Sequence, residues 1–101
     1  MPAYELTIAL VANTSRRQTV EALKRVADTF YQSEGVIRSI CSLGLRKLAY
    51  TIRHNKETHS TANYVVFRVH SSPNAMKTAQ TLMRYDERVL RFLSLREDKR
   101  R

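Results

Sequence analysis

The order of secondary-structure elements predicts an α+β sandwich, in which two helices cover one face of a four-stranded antiparallel sheet. Four stretches with strand-like patterns and two with helical periodicity follow one another as β-α-β-β-α-β. Two right-handed split βαβ units in that order place the first and third strands in the middle of the sheet. The length of 101 residues suits one domain.

The first strand and first helix are predicted from side-chain periodicity. From Tyr4 to Val11, strongly apolar residues alternate along the chain, so one face of this strand is apolar. Residues 13–15, Asn-Thr-Ser, are candidate helix caps because their side chains accept hydrogen bonds from unpaired backbone N–H groups. Gly35 is expected to end the helix in the left-handed conformation. The predicted buried stripe comprises Val20, Leu23, Val26, Ala27 and Phe30.

The middle of the chain predicts two strands of unequal length. Residues 36–53 are rich in β-branched and aromatic side chains and contain no proline, which indicates one long strand. Residues 54–62, HNKETHSTA, are predicted to form a polar loop. The third strand is expected over residues 63–69, with Val65 and Phe67 on its core face together with Val69.

A second helix and a last strand complete the domain. Ser71 and Ser72 precede Pro73, so serine is expected to cap the helix, with proline in its first turn. The predicted buried stripe comprises Met76, Ala79, Leu82 and Met83. The last strand is predicted from Val89 to Arg96. The predicted organisation is one ferredoxin-like domain over residues 1–96 and a basic tail over 97–101.

The segment LGLRKLAY at residues 43–50 changes the phase of its apolar pattern from odd to even positions. A one-residue slip inside a strand is typical of a β-bulge, and Gly44 is a suitable neighbour for one. Arg46 and Lys47 occupy the transition and are expected to point away from the core. Alternatively, they are ordinary exposed residues of an outer strand, where lysine deters aggregation. The apolar residues expected to face the core are Leu43, Leu45, Leu48, Tyr50 and Ile52.

The positive charge is concentrated in the second half of the chain. Lys and Arg number 18 against 9 Asp and Glu, a formal net charge of +9. Residues 1–45 carry a net charge of +1, and residues 46–101 carry +8. Such asymmetry within one domain predicts a face that binds a polyanion. The alternative is a basic surface that is merely solvated.

Other composition features argue against several classes of protein. Cys41 is the single cysteine, which excludes an intrachain disulfide and favours a reducing compartment; we expect it to be a small packing residue. No run of apolar residues approaches the ~18 needed to cross a bilayer, so no membrane association is expected. The start MPAYELTIALVA lacks the pattern of a secretory signal, so no removable leader is expected.

Catalysis and metal binding find little support. Acylphosphatases share the predicted fold, but they need a glycine-bearing phosphate loop with an arginine after the first strand, where this chain reads VANTSRR. His54, His59 and His70 include no pair at helical zinc-site spacing, and the first two are expected to be loop residues. The sequence therefore predicts no enzyme, metal, cofactor or small-molecule substrate. A ferredoxin-like regulatory or small-ligand-binding module is the alternative to a domain that binds a polyanion, although only two glycines are available for its pocket.

The octapeptide LGLRKLAY, the Tyr4–Glu5 start and YDERVLR at 85–91 resemble the small-subunit ribosomal protein six family of bacterial and organellar ribosomes. The resemblance covers essentially the whole chain. It implies an RNA-binding domain of the small-subunit platform that contacts the central domain of small-subunit rRNA. It also implies pairing with small-subunit protein eighteen and contacts with other small-subunit proteins. Arg46 and Lys47 match the two cations of the family signature, and Arg91 matches the cation of the last strand.

Two features depart from the bacterial pattern. Pro2 and Ala3 stand where bacterial members often have a basic residue, and the chain ends in DKRR where some members have a long acidic tail. The basic tail is a candidate replacement for the N-terminal RNA contact. The MP-x-YEL start and the segment RHNKETHSTANY look more like mitochondrial members. The expected location is therefore the ribosome of the mitochondrial matrix, with the bacterial cytoplasm or a plastid ribosome as alternatives.

The predicted rRNA-binding residues are cations, because phosphate contacts supply most of the affinity for RNA through released counterions. Tyr50 and Tyr64 are candidates for stacking on an unpaired base, although tyrosine at strand spacing is more often part of a core. The open face of the predicted sheet has no aromatic motif, so sequence-specific recognition of single-stranded RNA is not expected. The chosen residues are Arg46, Lys47, Arg53, Lys56, Arg88, Arg91 and Arg96, with Lys99, Arg100 and Arg101 in the tail.

A protein partner is predicted from the second strand, which should lie at an edge of the sheet. A long, partly apolar and uncovered edge is a template for another chain. Together with the helix-free face of the sheet, this edge is expected to receive protein eighteen.

Overall fold

A computed structural model provides the fold and describes residues 2–13 and 15–97. Its strands form one antiparallel sheet in the order β2-β3-β1-β4. The predicted fold class is confirmed: β1 and β3 lie in the middle, β2 and β4 are the edges, and both helices pack on one face. The elements are β1 (Ala3–Val11), α1 (Arg16–Gln32), β2 (Val36–His54), β3 (Glu57–His70), α2 (Pro73–Arg84) and β4 (Val89–Glu97).

The main hydrophobic core lies between the helices and the sheet. Leu6, Ile8 and Leu10 of β1 are almost completely buried, as their alternation predicts. Phe30 of α1 and Met83 of α2 close the core from the helix side. Burial of one such side chain stabilises the fold by about 1.5–3 kcal/mol. The central strand β3 adds the three predicted residues Val65, Phe67 and Val69.

Two predicted core positions on the helices are instead exposed. Val20 of α1 is 53% exposed and Leu82 of α2 is 40% exposed. The buried stripe of α1 runs through Ala22 and Val26, so Val20 lies at the side of the helix, where no other element covers it. Thr29, which the periodicity did not select, is also buried, and its hydroxyl is satisfied by donating to the carbonyl oxygen of Arg25 (3.1 Å).

Side-chain caps begin both helices. The Oγ atom of Ser15 accepts a hydrogen bond from the backbone N–H of Gln18 (3.2 Å). Ser72 caps α2 by accepting from the N–H of Ala75 (3.2 Å), and Pro73 lies in the first turn. Ser15 is thus the cap among the three candidates at residues 13–15, and the predicted serine cap of α2 is confirmed; both satisfy N–H groups that the helix itself leaves unpaired.

The end of α1 differs from the prediction. Glu34, rather than Gly35, takes the left-handed conformation, with φ of 63°. The backbone N–H of Gly35 donates to the carbonyl oxygen of Phe30 (2.8 Å). A Cβ atom at position 35 would lie 3.0 Å from the carbonyl oxygen of His70 and 3.1 Å from that of Phe30. Glycine is therefore required here for close packing, because both neighbours are backbone atoms.

The predicted loop over residues 54–62 is wrong. Asn55 and Lys56 form a two-residue hairpin turn, and β3 begins directly afterwards at Glu57. Both turn residues have positive φ, 51° and 67°, as a type I′ turn requires. The polar residues that follow still form a strand because backbone hydrogen bonding to β2 does not depend on apolar side chains.

Strand β2 is longer than its partner. It has 19 residues against 14 in β3, although Val36 lies opposite His70 at one end and His54 opposite Glu57 at the other. The extra residues are absorbed at three register shifts, between Ile37 and Ser39, Ser42 and Gly44, and Lys47 and Ile52. Bulges on one strand bend and twist a pair. The hairpin therefore curves, with β2 on the longer path.

A bulge lies beside Gly44, but the predicted slip across Arg46 and Lys47 is not found there, because residues 44–47 pair continuously with residues 64–61 of β3. The register moves between Ser42 and Gly44, and Gly44 has φ of +80°, a conformation that favours glycine. A larger irregularity follows between Lys47 and Ile52, closer to the two cations.

The prediction that five apolar residues of β2 face the core holds for two of them. Leu48 and Ile52 pack against a second cluster formed by Ala9, Val11, Ala62 and Leu90. Leu43, Leu45 and Tyr50 are exposed, and the predicted packing residue Cys41 is exposed too. The reason is position in the sheet: an edge strand has a neighbour on one side only.

Gly35→Ala is predicted to destabilise the domain. The added methyl group meets two backbone oxygen atoms that cannot rotate away, so we expect a loss of about 1–3 kcal/mol, measured by urea unfolding. Gly44→Ala is the comparison, because its methyl group enters open space and costs only the strain of positive φ, about 1–2 kcal/mol. A Gly35→Ala variant as stable as the unsubstituted chain would contradict the packing argument.

Candidate nucleic-acid interface

Strand register places two of the predicted RNA-binding cations on the helix-free face of the sheet. Residues directly opposite each other in paired strands share a face, and successive residues alternate between faces. Ala9 points away from the helix side because Ile8 and Leu10 face the core. Arg91 of β4 lies opposite Ala9, and Arg46 of β2 lies opposite Ala62, which shares the second cluster with Ala9. Arg46 and Arg91 therefore share the helix-free face.

These two cations lie on opposite edges of the sheet. They are separated by three strand spacings, which is about 14 Å at the usual spacing of 4.8 Å. Between them lie the small side chains of Ala9 and Ala62, and Tyr64, which packs against them. The strip between the two cations is covered, because Leu48 and Ile52 of β2 pack on the cluster that contains Ala9 and Ala62, which are 3% and 0% exposed.

Lys47 does not point the same way as Arg46. It lies opposite Thr61, one position along β3 from Ala62, and therefore on the other face of the hairpin. Both cations are exposed, as predicted, but alternation along the strand separates them. The Nε atom of Arg46 donates to the carbonyl oxygen of Leu43 (3.0 Å), so the side chain folds back over the bulge.

The tip of the β2–β3 hairpin is fixed to the loop between α2 and β4. The Nε2 atom of His54 lies 2.9 Å from the carbonyl oxygen of Glu87 and donates to it. The side-chain amide of Asn55 donates to the carboxylate of the same residue (3.2 Å). Arg53 and Lys56 flank these contacts. Sequence reasoning missed this anchor, because it treated His54 and Asn55 as loop residues.

Arg88 is bound within the protein. Its guanidinium group donates to both carboxylate oxygens of Asp86 (2.9 and 3.0 Å), to the carbonyl oxygen of Gln18 (3.1 Å), and to Glu21 (3.4 Å). These bonds tie α1 to the loop that precedes β4. The structure thus gives Arg88 a positioning role, and its predicted contact with rRNA stays a prediction.

The same contacts change the ionisation of both groups. Burial raises the pKa of the Asp86 carboxyl, but the hydrogen bonds and charge of Arg88 outweigh it, and the net result is a lowered pKa. The hydrogen bond to Asp86 raises the pKa of Arg88.

The remaining predicted residues are dispersed. Arg96 lies opposite Tyr4 near the end of β4. Tyr50 is 83% exposed, whereas Tyr64 packs against the second cluster. Lys99, Arg100 and Arg101 lie outside the residues that the structure describes.

Neither a membrane span nor a metal cluster is present in the described part of the chain. In residues 2–13 and 15–97, no helix combines the length and apolarity needed to cross a bilayer. Within the same ranges, no three His, Cys, Asp or Glu side chains are grouped to hold a metal ion.

Comparison with known proteins identifies the family. The family model described as ribosomal protein S6 matches residues 3–96, nearly the whole chain. The chain belongs to the ribosomal protein S6 family. Members of the S6 family are structural, non-enzymatic proteins of the small ribosomal subunit, so the prediction that this chain is not an enzyme is confirmed.

Two relatives and one solved structure illustrate the similarity. Small ribosomal subunit protein bS6 of Porphyromonas gingivalis is 35% identical over 99 residues, which span 98% of this chain and 81% of that protein. The mouse protein bS6m is 32% identical over 77 residues, 76% of this chain and 61% of that protein. The 30S ribosomal protein S6 of Thermotoga maritima has a TM-score of 0.84 at 18% identity, covering 95% of this chain and 87% of that chain, and shows the shared fold. Bacterial and mitochondrial S6 proteins both match, so the mitochondrial location stays a prediction.

Arg88→Gln is predicted to lower the free energy of unfolding at neutral pH. It is also predicted to make that free energy depend less on pH in the acidic range. Because the folded-state pKa of Asp86 lies below its ordinary value of 3.8, its carboxylate stabilises the fold above that value, and this contribution is lost as pH falls through the folded pKa. We expect Arg88→Gln to lower the free energy of unfolding by about 2 kcal/mol at pH 7 and by less below pH 4, measured by urea unfolding at a series of pH values.

Arg68→Gln is the matched control. Arg68 pairs with Glu5 at 3.0 Å on a more exposed surface, so its loss should cost less than about 1 kcal/mol. Parallel pH profiles for Arg88→Gln and the unsubstituted chain would contradict the role assigned to the Arg88–Asp86 pair.

Proposed function

We propose that this S6-family chain is a platform protein of the small ribosomal subunit that binds the central domain of small-subunit rRNA together with small-subunit protein eighteen. The observation that carries the proposal is the pair Arg46 and Arg91, two exposed cations at opposite edges of the helix-free face of the sheet. The chain has no competing catalytic arrangement in its described residues.

The ion-pair pattern supports contact with RNA. Within the described residues, no carboxylate lies within ion-pairing distance of Arg46, Lys47, Arg53, Lys56 or Arg91. Arg68 and Arg88, by contrast, are neutralised by acidic neighbours. Unpaired cations attract phosphate groups and release the counterions that surround them. On the helix-free face, Arg46 and Arg91 are therefore charges that no acidic group of the described residues neutralises.

The expected form of RNA is a folded double strand. An A-form helix presents its phosphates and 2′-hydroxyl groups, and its bases are hard to reach through the deep major groove. Arg46 and Arg91 are exposed at the two edges of this face, where they can contact phosphates of such a helix without reading its bases. The tail residues 97–101 and the domain over 1–96 then act as one RNA-binding unit.

Affinity for the central domain of small-subunit rRNA, measured with protein eighteen present, is predicted to fall by about 3–5 log units per tenfold rise in salt. Replacement of Arg46 and Lys47 together by alanine should reduce this slope by about two units and shift Tm by only a few degrees.

The matched control is the double variant in which alanine replaces both Lys24 and Lys77. The double variant loses the same charge from the exposed faces of α1 and α2, and its salt slope should equal that of the unsubstituted chain. An unchanged slope in the Arg46/Lys47 variant would refute the phosphate contact, and unfolding of that variant would assign the two cations a structural role instead.

The exposed edge of β2 supports a protein partner. Its N–H and C=O groups lack a neighbouring strand on one side, which is a template for an added chain. On the helix side, Ile40 lies opposite the core residue Phe67 and is 51% exposed. It lines a groove of about 510 Å³ together with Val20 and Leu23 of α1. We place protein eighteen on this edge and groove, whereas the sequence had favoured the edge and the helix-free face.

Ile40→Thr is predicted to weaken binding of protein eighteen by about tenfold, measured by isothermal titration calorimetry. The change removes apolar area from the groove and keeps a β-branched residue in the strand. Leu93→Thr is the control, because Leu93 is 57% exposed on the other edge strand, opposite Thr7 on the helix-free face. If Leu93→Thr weakens binding and Ile40→Thr does not, the partner occupies the helix-free face.

The ribosomal location is proposed to be the mitochondrial matrix, on the strength of the sequence features near the N-terminus and the mouse relative. Co-sedimentation of the protein with small ribosomal subunits from isolated organelles tests this. Recovery with bacterial or plastid subunits alone would replace it with the corresponding alternative.

A further inference from the structure

A cleft lined by two arginines lies where the end of α2, the strand β4 and the tip of the β2–β3 hairpin meet. It has a volume of about 290 Å³. Arg84 and Met83 of α2 form one wall, Arg91 and Phe92 of β4 form another, and His54 of the hairpin closes the third side. The lining contains no Asp or Glu residue.

The two arginines of this cleft have no acidic partner among the described residues. Arg84 lies in the last turn of α2 and Arg91 near the start of β4. Within residues 2–13 and 15–97, no carboxylate pairs with either one. Two positive charges that line one cleft repel each other, and an anion held between them removes that repulsion.

The walls of the cleft are held in place before any ligand arrives. One Nη atom of Arg91 donates to the carbonyl oxygen of Leu90 (2.9 Å), which fixes the guanidinium group against β4 and leaves its other donors for a ligand. His54 is held by its bond to the carbonyl oxygen of Glu87 (2.9 Å). Met83 is 1% exposed and anchors the helix turn that carries Arg84. A preformed site avoids part of the ordering cost of binding.

We propose that this cleft binds a phosphate group of the RNA backbone between the guanidinium groups of Arg84 and Arg91. A guanidinium group matches phosphate geometry through two parallel N–H···O bonds, and two guanidinium groups can together contact both non-bridging oxygens of one phosphodiester. The inference rests on the proposed function and adds Arg84, which the sequence did not select. It extends the proposed RNA contact from the helix-free face, which carries Arg46 and Arg91, around the edge formed by β4.

The first test compares Arg84→Gln with Lys77→Gln. Both changes remove one exposed positive charge from α2, but Lys77 lies outside the cleft. We expect Arg84→Gln to lower the affinity for the central-domain rRNA several-fold and to reduce the salt slope by about one unit, and Lys77→Gln to do neither. Circular-dichroism melting of both variants checks that the fold is kept.

The second test uses inorganic phosphate and needs no RNA. In a phosphate-free buffer, titration of the ¹⁵N-labelled chain should shift the Nε–H signals of Arg84 and Arg91 together, and Arg84→Gln should abolish the shift at Arg91. Lys77→Gln should leave both shifts unchanged.

The outcomes separate this inference from the proposed function. If the unsubstituted chain binds rRNA with the expected salt slope but Arg84→Gln behaves like Lys77→Gln, the cleft carries no RNA phosphate and the inference is overturned. Phosphate shifts without an effect on RNA binding also overturn it, because they show a site for free phosphate only. If the unsubstituted chain fails to bind rRNA, the proposed function fails, and the assignment of the cleft to RNA fails with it.

Discussion

The mismatch in length between β2 and β3 is the constraint on which the surface of this protein depends. Both ends of the pair are in register, so the additional residues of β2 must be absorbed inside the strand. They enter at three shifts, and the hairpin curves until Leu48 and Ile52 reach the cluster around Ala9. The tip of the hairpin then meets Glu87, on the loop leading to the opposite edge strand. The additional residues of β2 thus bring the hairpin tip into contact with the loop that leads to the opposite edge of the sheet.

Two different uses of arginine follow from this geometry. The side chain of Arg88 donates hydrogen bonds to Asp86, Gln18 and Glu21 and holds α1 against the loop before β4. Arg46 and Arg91 donate only to nearby backbone oxygens and have no carboxylate partner in the part of the chain that the structure describes. Residue type alone does not separate these roles. The difference lies in which neighbours the fold supplies, since a cation beside two acids is neutralised where it stands.

The fold and the site differed in how far periodicity could predict them. Alternation in β1 and β3 predicted the residues that face the helices, but it missed Ala9, Val11 and Ala62, which β2 covers on the other face. The same rule failed for Leu43, Leu45 and Tyr50, because an edge strand has apolar residues that no element covers. The segment at 54–62 misled the prediction for a related reason: a polar sequence can form a strand when a neighbouring strand supplies its hydrogen bonds.

The amino-acid sequence by itself determined the element order, the central strands, the serine caps and the uneven charge, because each is encoded by residues close together along the chain. It also indicated a bulge through Gly44, although the phase of LGLRKLAY placed the slip at Arg46 and Lys47 and the register moves on either side of them. Only the tertiary structure decided which cations share a face, that Glu34 takes the left-handed conformation and that His54 anchors the hairpin. Arg84 and Arg91 meet in one cleft for the same reason. These outcomes depend on register and on contacts between distant residues, which local patterns do not specify.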